Sequence, residues 1–320
     1  MKTSRLVLVI SFQLCGLALH GQEGTASQGN APIYRVTVVE RGVEAINYQY
    51  RSAPTRIDSR GTVLLPDARG EATVQSGPGR TEIDAKFENL LPPSRFGREY
   101  LTYVLWAISP EGAAHNLGEV IADASNRSRI RVTTELQSFG LIVTAEPYAA
   151  VGQPGSVVAL ENKIRPDTVG KIETVQAKAD LLSRHPYTWQ VGEDQGPAAA
   201  SLSKVSMSQY EAVLELYQAQ NAVAIARNAE ADRYAPDAMA KAQQALAEAQ
   251  RLQAKKSNSK LVVQAAREAA QTAEDARVLA ERRKQASQER PGTPAAQAGP
   301  IPRGAEPAPA GSKAAGEPEN

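Results

Sequence analysis

The side chains that could carry chemistry are few and scattered. Three histidines occur, His20, His115 and His185, and the first falls in a segment expected to be removed on export. A histidine pair about seventy residues apart, with no carboxylate-dense motif beside either member, lacks the converging ligands a metal requires. His115, next to Asn116, is expected in a solvated hairpin loop. The single cysteine, Cys15, also lies in the leader, so the mature chain is expected to have no disulfide, thiolate chemistry or sulfur-ligated zinc. No G-x-S-x-G, H-E-x-x-H or Walker-type loop is present, which removes the common nucleophilic, zinc-protease and nucleotide-hydrolysing readings. Glu82, Asp84 and Glu88 line one strand face, but a catalytic pair needs a carboxyl raised by burial, which an exposed face does not supply. Gln75 to Gly79 (QSGPG) is followed by a strand rather than a helix, so it reads as a loop and not a phosphate cradle. No catalytic, cofactor-binding or metal-ligating residue is expected, and the chain is read as a non-enzyme. A buried cluster of ionisable side chains lining a deep cleft would contradict that reading. The aromatics stay open: Tyr148, Tyr187 and Trp189 either line a binding surface or plug a junction between modules. Tyr187, Trp189, Tyr210 and Tyr217 are the candidate partner-binding residues.

The elements that must position these residues change character along the chain. From Ile33 to about Leu160, short apolar–polar alternations separated by turn residues signal strands. Tyr34, Val36 and Val38 are expected to turn at Arg41-Gly42 into a second strand carrying Ile46, Tyr48 and Tyr50. In Thr81 to Glu88, Ile83, Ala85 and Phe87 face a core while Glu82, Asp84, Lys86 and Glu88 face water, and a one-residue slip would bury four charges. Tyr100 to Ile108 (YLTYVLWAI) and Phe139 to Ala145 (FGLIVTA) are apolar on both faces and read as central strands. Ser109 to Gly112 (SPEG) forms a loop before a strand near Leu117 to Ala122, and Ile130 and Val132 belong to another strand. Seven or eight short strands with turns at intervals of about ten residues predict an antiparallel β-sandwich of immunoglobulin-like type, with Trp106 as its central aromatic. Residues 170–183 fit either a strand or a short helix.

From Met207 the composition turns to Ala, Gln, Glu, Arg and Leu, all strong helix formers. A first helix is expected from Ser208 to Glu230, and a second begins at Pro236, suited to a first turn. Its apolar stripe is Met239, Ala242, Leu246 and Ala249, and Lys255 to Asn258 ends it, with Ser257 or Asn258 capping the next helix. The third runs to Glu289 with a seam of Val262, Ala266, Ala269, Ala273, Ala276 and Ala280. Alanine seams bring backbones close but bury little area, so this hairpin is expected to be marginal alone. Exposed pairs are expected at Glu248–Arg251, Glu274–Arg277 and Glu281–Lys284, with Arg282 to Lys284 a solvated helix end. The first helix is expected to pack along the hairpin or join it to another molecule. The whole is an α+β chain of separate modules, the second helical and coiled-coil-like.

Lys2 and Arg5 precede an apolar run from Leu6 to Leu19, too short for a spanning helix of about twenty residues. Residues 1–21 therefore read as a cleaved signal peptide, and Gln13-Leu14 before Cys15 argue against lipidation. The other boundaries are a disordered linker at 22–31, the β-domain at 32–165, a junction at 166–205, the helical domain at 206–289, and a disordered Pro/Ala-rich tail at 290–320. No later segment is expected to span a membrane. A net charge of +1 over 320 residues argues against a nucleic-acid binder.

Two resemblances follow. Met207 to Arg283, with NAVAIARNAEADRYAPDAMAKAQQALAEAQ and REAAQTAEDARVLAERR, resembles a bacterial envelope helical domain of unknown function that often precedes an OmpA-like peptidoglycan-binding domain. The likeness covers about a quarter of the chain and rests on A-x-x-A spacing, the Tyr234-Ala235-Pro236 junction and the A-E-D-A-R run. It departs from the family by lacking the OmpA-like module. Tyr103 to Gly112 with Asn116 to Val120 (YVLWAISPEG, NLGEV) is similar to a strand–turn–strand in the extracytoplasmic β-domain of anti-sigma-K-type factors. The expected export, the absence of catalytic clusters and the alanine seams point to an exported envelope protein that scaffolds a protein partner or self-associates through its helices. The alternative is a carbohydrate- or peptidoglycan-binding protein acting through the β-module.

Overall fold

The computed structural model describes residues 39–49, 53–165, 175–181 and 206–289. Ten antiparallel strands come first: β1 (Val39–Asn47), β2 (Thr55–Gly61), β3 (Arg69–Gly77), β4 (Arg80–Glu88), β5 (Thr102–Ile108), β6 (Ala114–Val120), β7 (Ser128–Thr134), β8 (Ser138–Glu146), β9 (Val158–Lys163) and β10 (Val175–Leu181). They form one hydrogen-bonded sheet in the order β10-β1-β8-β9-β2-β3-β4-β7, with β5 on the other edge of β8 and β6 beside β5. The sheet curls into a nearly closed, barrel-like form. Its gap falls between β6 and β7, where Gly118 sits with φ +137° and the space of its missing Cβ lies 3.4 Å from Ile130 Cδ1. β1 runs straight through Arg41-Gly42, where a turn was expected, because both pair with β10 (Arg41 opposite Ala179, Gly42 opposite Lys178). Residues 175–181, inside the stretch expected to be a junction, are thus a strand, which resolves the choice left open at 170–183 for that part, the rest lying outside the described residues.

Local patterning explains where the cores lie. β4 alternates as anticipated, with Thr81, Ile83, Ala85 and Phe87 buried. β5 and β8 are buried on both faces because each separates two cores. Tyr103, Leu105, Ala107, Leu141, Val143 and Ala145 point into the curved sheet, against Phe87, Ile83 and Leu160. Val104, Trp106, Ile108 and Ile142 point the other way, into a core shared with the helices. Trp106 is fully buried, but on the helix-facing side rather than inside the sheet. At Gly140 a Cβ would stand 2.4 Å from Val43 Cγ1 and 2.8 Å from the Glu44 carbonyl, so only glycine lets β1 cross β8 there.

The helices are α1 (Met207–Asn228), the single turn α2 (Ala231–Tyr234), α3 (Pro236–Ala254) and α4 (Ser259–Glu289). Ser206 and Gln209 close a capping box on α1, with Gln209 N donating to Ser206 Oγ at 3.3 Å and Ser206 N to Gln209 Oε1 at 3.1 Å. Asn258 caps α4 through Lys260 N at 2.9 Å. The expected alanine seam is real: Val262, Ala266, Ala269, Ala273, Ala276 and Ala280 are all fully buried. α1 packs along the hairpin, one of its two expected placements. It is buried on several sides at once, from Ala212 and Leu214 round to Ala226, because it lies between the sheet and the other helices. The β and helical parts therefore share a continuous core, where separate modules were expected. None of the described helices is long and apolar enough to cross a membrane.

Candidate functional site

A polar clasp joins the two parts. On α1, Glu215, Gln218 and Asn221 recur every third residue, which puts them on one helix face, and all three are buried. They meet the loop after β8, Pro147 to Gly152. Ala149 N donates to Gln218 Oε1 at 2.6 Å, and Asn221 Nδ2 donates to the Pro147 and Glu99 carbonyls, each at 3.2 Å. From β6, Asn116 Nδ2 donates to the carbonyls of Ala149 (2.8 Å) and Val151 (2.9 Å). Backbone groups that a loop in a dry interface would leave unsatisfied are thus paired by amide side chains.

α4 supplies the other half. Glu274, 3 % exposed, accepts from Tyr148 Oη (2.6 Å) and Gly152 N (2.8 Å), and from Arg277 Nε (2.6 Å) and Nη2 (2.7 Å). Arg277 also reaches Glu281 at 2.7 Å. Burial works against its charge, but Glu274 outweighs burial, with Tyr148 and Glu281 adding to it, and the guanidinium is held firmly protonated. Glu274–Arg277 is therefore an interior pair, not the exposed one the spacing suggested. Lys284 pairs with Glu230 instead of Glu281, and Arg283 Nη1 donates to the Tyr234 carbonyl at 2.9 Å. The Arg282 to Lys284 group thus partly clamps the α1–α2–α3 corner, one turn short of the helix end.

Between these anchors lies a cleft of about 700 Å³, walled by β6, the 149–152 loop, α1 and α4, with Glu119, Glu215, Gln218 and Arg267 in its lining. Glu119 Oε1 accepts from Thr102 Oγ1 and Gln218 Nε2, both at 2.6 Å. Arg267 approaches Glu215 at 2.6 Å, Glu211 at 3.0 Å and Glu119 at 3.4 Å. Burial first, then the charge of Glu119, pushes the Glu215 carboxyl up to about 9, with Arg267 opposing. Burial and the same Glu119 charge raise the Tyr210 phenol. A carboxyl held neutral in this way can donate a hydrogen bond or a proton. Ionisable groups were expected to stay solvated, so this cluster is the feature that sequence patterning missed. Its one trace is the Glu215/Gln218/Asn221 spacing inside an otherwise apolar helix.

A second buried polar chain backs the interface. Trp106 Nε1 donates to Thr144 Oγ1 (2.8 Å), Thr144 Oγ1 to Glu146 Oε1 (2.6 Å), and Gly155 N to the same oxygen (2.5 Å). Indole burial here depends on that partner.

The remaining candidates fall as follows. Tyr210 and Tyr217 are half-buried on α1, whereas Tyr187 and Trp189 lie outside the described residues, as do the stretches expected to be a leader (1–21), a linker (22–31) and a tail (290–320). Tyr148 is fully buried and plugs the junction. His115 is exposed, but on β6 opposite Ala107 rather than in a loop. Ser109 to Gly112 is the loop, closed by Ser109 N donating to the Ala113 carbonyl at 2.9 Å. Asp84 is held down at about 2 by its hydrogen bond from Arg129, then by Arg131, the opposite of a catalytic acid. No group of three or more metal-ligating side chains comes together among the described residues. Comparison with family models, curated proteins and solved structures matched none of them to this chain.

Proposed function

We propose that the chain is an exported, non-catalytic protein of the cell envelope that acts by contact, as a scaffold or interaction module. The ionisable cluster at the cleft is the feature that counts against a non-catalytic reading; what supports that reading is that the buried ionisable groups are occupied with one another and with the chain's own backbone. Both oxygens of Glu274 accept from protein donors, and Glu119 is engaged by Thr102, Gln218 and Arg267. Such groups fix a rigid body and leave its outer surface to meet a partner. The partner is an envelope protein or a second copy of this chain. Because the alanine seam is consumed inside the bundle, contact falls to other side chains: the half-buried Tyr210 and Tyr217 on α1, with Tyr187 and Trp189, which precede that helix in sequence. The two resemblances point to the same compartment, and the leader-like Leu6 to Leu19 run agrees with them. The finer fold reading goes with this proposal: an immunoglobulin-like sandwich for the curved sheet and coiled-coil-like packing for helices whose seam steps by three and four. In-cell cross-linking with size-exclusion and light scattering on the chain from residue 22 onward tests it. The expected result is a dimer or a specific envelope adduct that Tyr210→Ser with Tyr217→Ser weakens. A strictly monomeric chain with no envelope adduct would refute it.

The cleft favours a second reading. Its size and partly polar lining, with Gln271 at an exposed position, suit the hydroxyls and amides of a carbohydrate or peptidoglycan strand. Retention on purified cell wall that falls with Gln271→Ala, as well as with Trp189→Ala or Tyr187→Ala, would select it.

A further inference from the structure

Three carboxylates face one guanidinium at the seam between β6 and α1. Glu119, Glu211 and Glu215 all approach Arg267, and two of them are nearly dry, Glu215 at 1 % and Glu119 at 8 % side-chain exposure. Fully ionised, the group would carry two negative charges beyond what Arg267 offsets, and the two nearly dry carboxylates, Glu215 and Glu119, would face each other with little water between them and the protein. Retaining one proton removes the repulsion between the two buried members.

The hydrogen bonds say where that proton sits. Glu119 already accepts two short bonds through Oε1, from Thr102 and Gln218. Arg267 Nη2 lies 2.6 Å from Glu215 Oε1 and 3.4 Å from Glu119 Oε2, so the two carboxyls close on the same nitrogen, and Glu215 accepts only from that guanidinium. We propose that Glu215 and Glu119 share one proton at neutral pH and form a pH-sensitive latch, whose loss sets two buried anions against each other and loosens the sheet from the helices.

Gln218 carries that change to the clasp. Its Nε2 holds Glu119 while its Oε1 holds Ala149 N, so displacement of Glu119 pulls directly on the loop that docks both helices. The charged and titratable groups facing the pair are Glu211, Tyr210 and Arg267. Tyr210 stays neutral because its phenol is raised, and Arg267 stays charged because the three carboxylates outweigh its burial.

The sign follows from linkage. With Glu215 raised from its ordinary value of 4.5 to about 9, its contribution to stability is complete below the ordinary carboxylate range and is lost as pH rises through about 9. Glu215→Gln keeps a donor toward Glu119 but cannot ionise. Chemical unfolding of the full chain at intervals from about pH 6 to about pH 10 should show the wild type losing stability relative to E215Q, by up to about tenfold in the unfolding equilibrium per pH unit. Carboxyl-carbon NMR of the labelled wild type should show Glu215 titrating on the alkaline side. Parallel pH profiles for the two proteins would overturn the proposal. So would a Glu215 carboxyl that titrates in the ordinary acidic range, a readout that decides the matter even if E215Q does not fold.

Discussion

Inside the curved sheet, Phe87, Leu105, Leu141 and Val143 pack together. One residue along the same strands, Trp106 and Ile142 face a helical layer made mostly of alanine. The interior gains from apolar area, in proportion to what is buried. The seam has less area per residue to offer, since methyl groups replace rings and branched chains, and it adds directed polar contacts: Glu215, Gln218, Asn221, Glu274 and Arg277 are all buried there. An alanine-rich helical layer can thus hold a sheet when buried polar groups fix its register. The same groups make that union sensitive to loss of any one partner.

The largest expected effect breaks the seam. Glu274→Ala leaves the buried Arg277 with only the half-exposed Glu281 as counter-charge and removes the acceptor for Tyr148 Oη and Gly152 N, which should cost about 3–5 kcal/mol in denaturant unfolding. Leu105→Ala in the interior removes only volume, and should cost about 2–5 kcal/mol. The two differ in rescue. Arg277→Met added to Glu274→Ala should recover part of the seam's loss, whereas no second-site polar change helps Leu105→Ala. A smaller effect probes alanine itself: Ala269→Leu forces the backbones apart in the fully buried seam and should destabilise by about 1–3 kcal/mol. Smallest of all, Glu248→Ala removes an exposed pair with Arg251, and the unfolding midpoint should not move measurably.

The same contrast explains what could be read from sequence. β4 was legible because Ile83, Ala85 and Phe87 alternate with charges, and the α4 seam because alanines recur every three or four residues. The unbroken apolar runs of β5 and β8 correctly marked burial on both faces, though not which layer covered each. Arg41-Gly42 misled, since the pairing with β10 that keeps β1 extended lies far away in sequence. Glu119 sits in NLGEV, which reads as a half-exposed strand, and only the helices folding over it bury it. Glu274 and Arg277 have ordinary surface-pair spacing, and nothing local reveals that the 147–152 loop covers them. Local pattern therefore exposes apolar layers, whereas polar clasps between distant segments emerge only once the chain is folded.

Native-state hydrogen exchange on the full chain tests most directly whether the clasp makes sheet and helices a single cooperative unit. Amides in the middle of α1 and α4, such as Ala222 and Ala273, should open with the same free energy as those of Leu105 and Val143 in β5 and β8. Glu274→Ala should split the two sets. Helical amides that open well before the strand amides in the wild type would contradict the account.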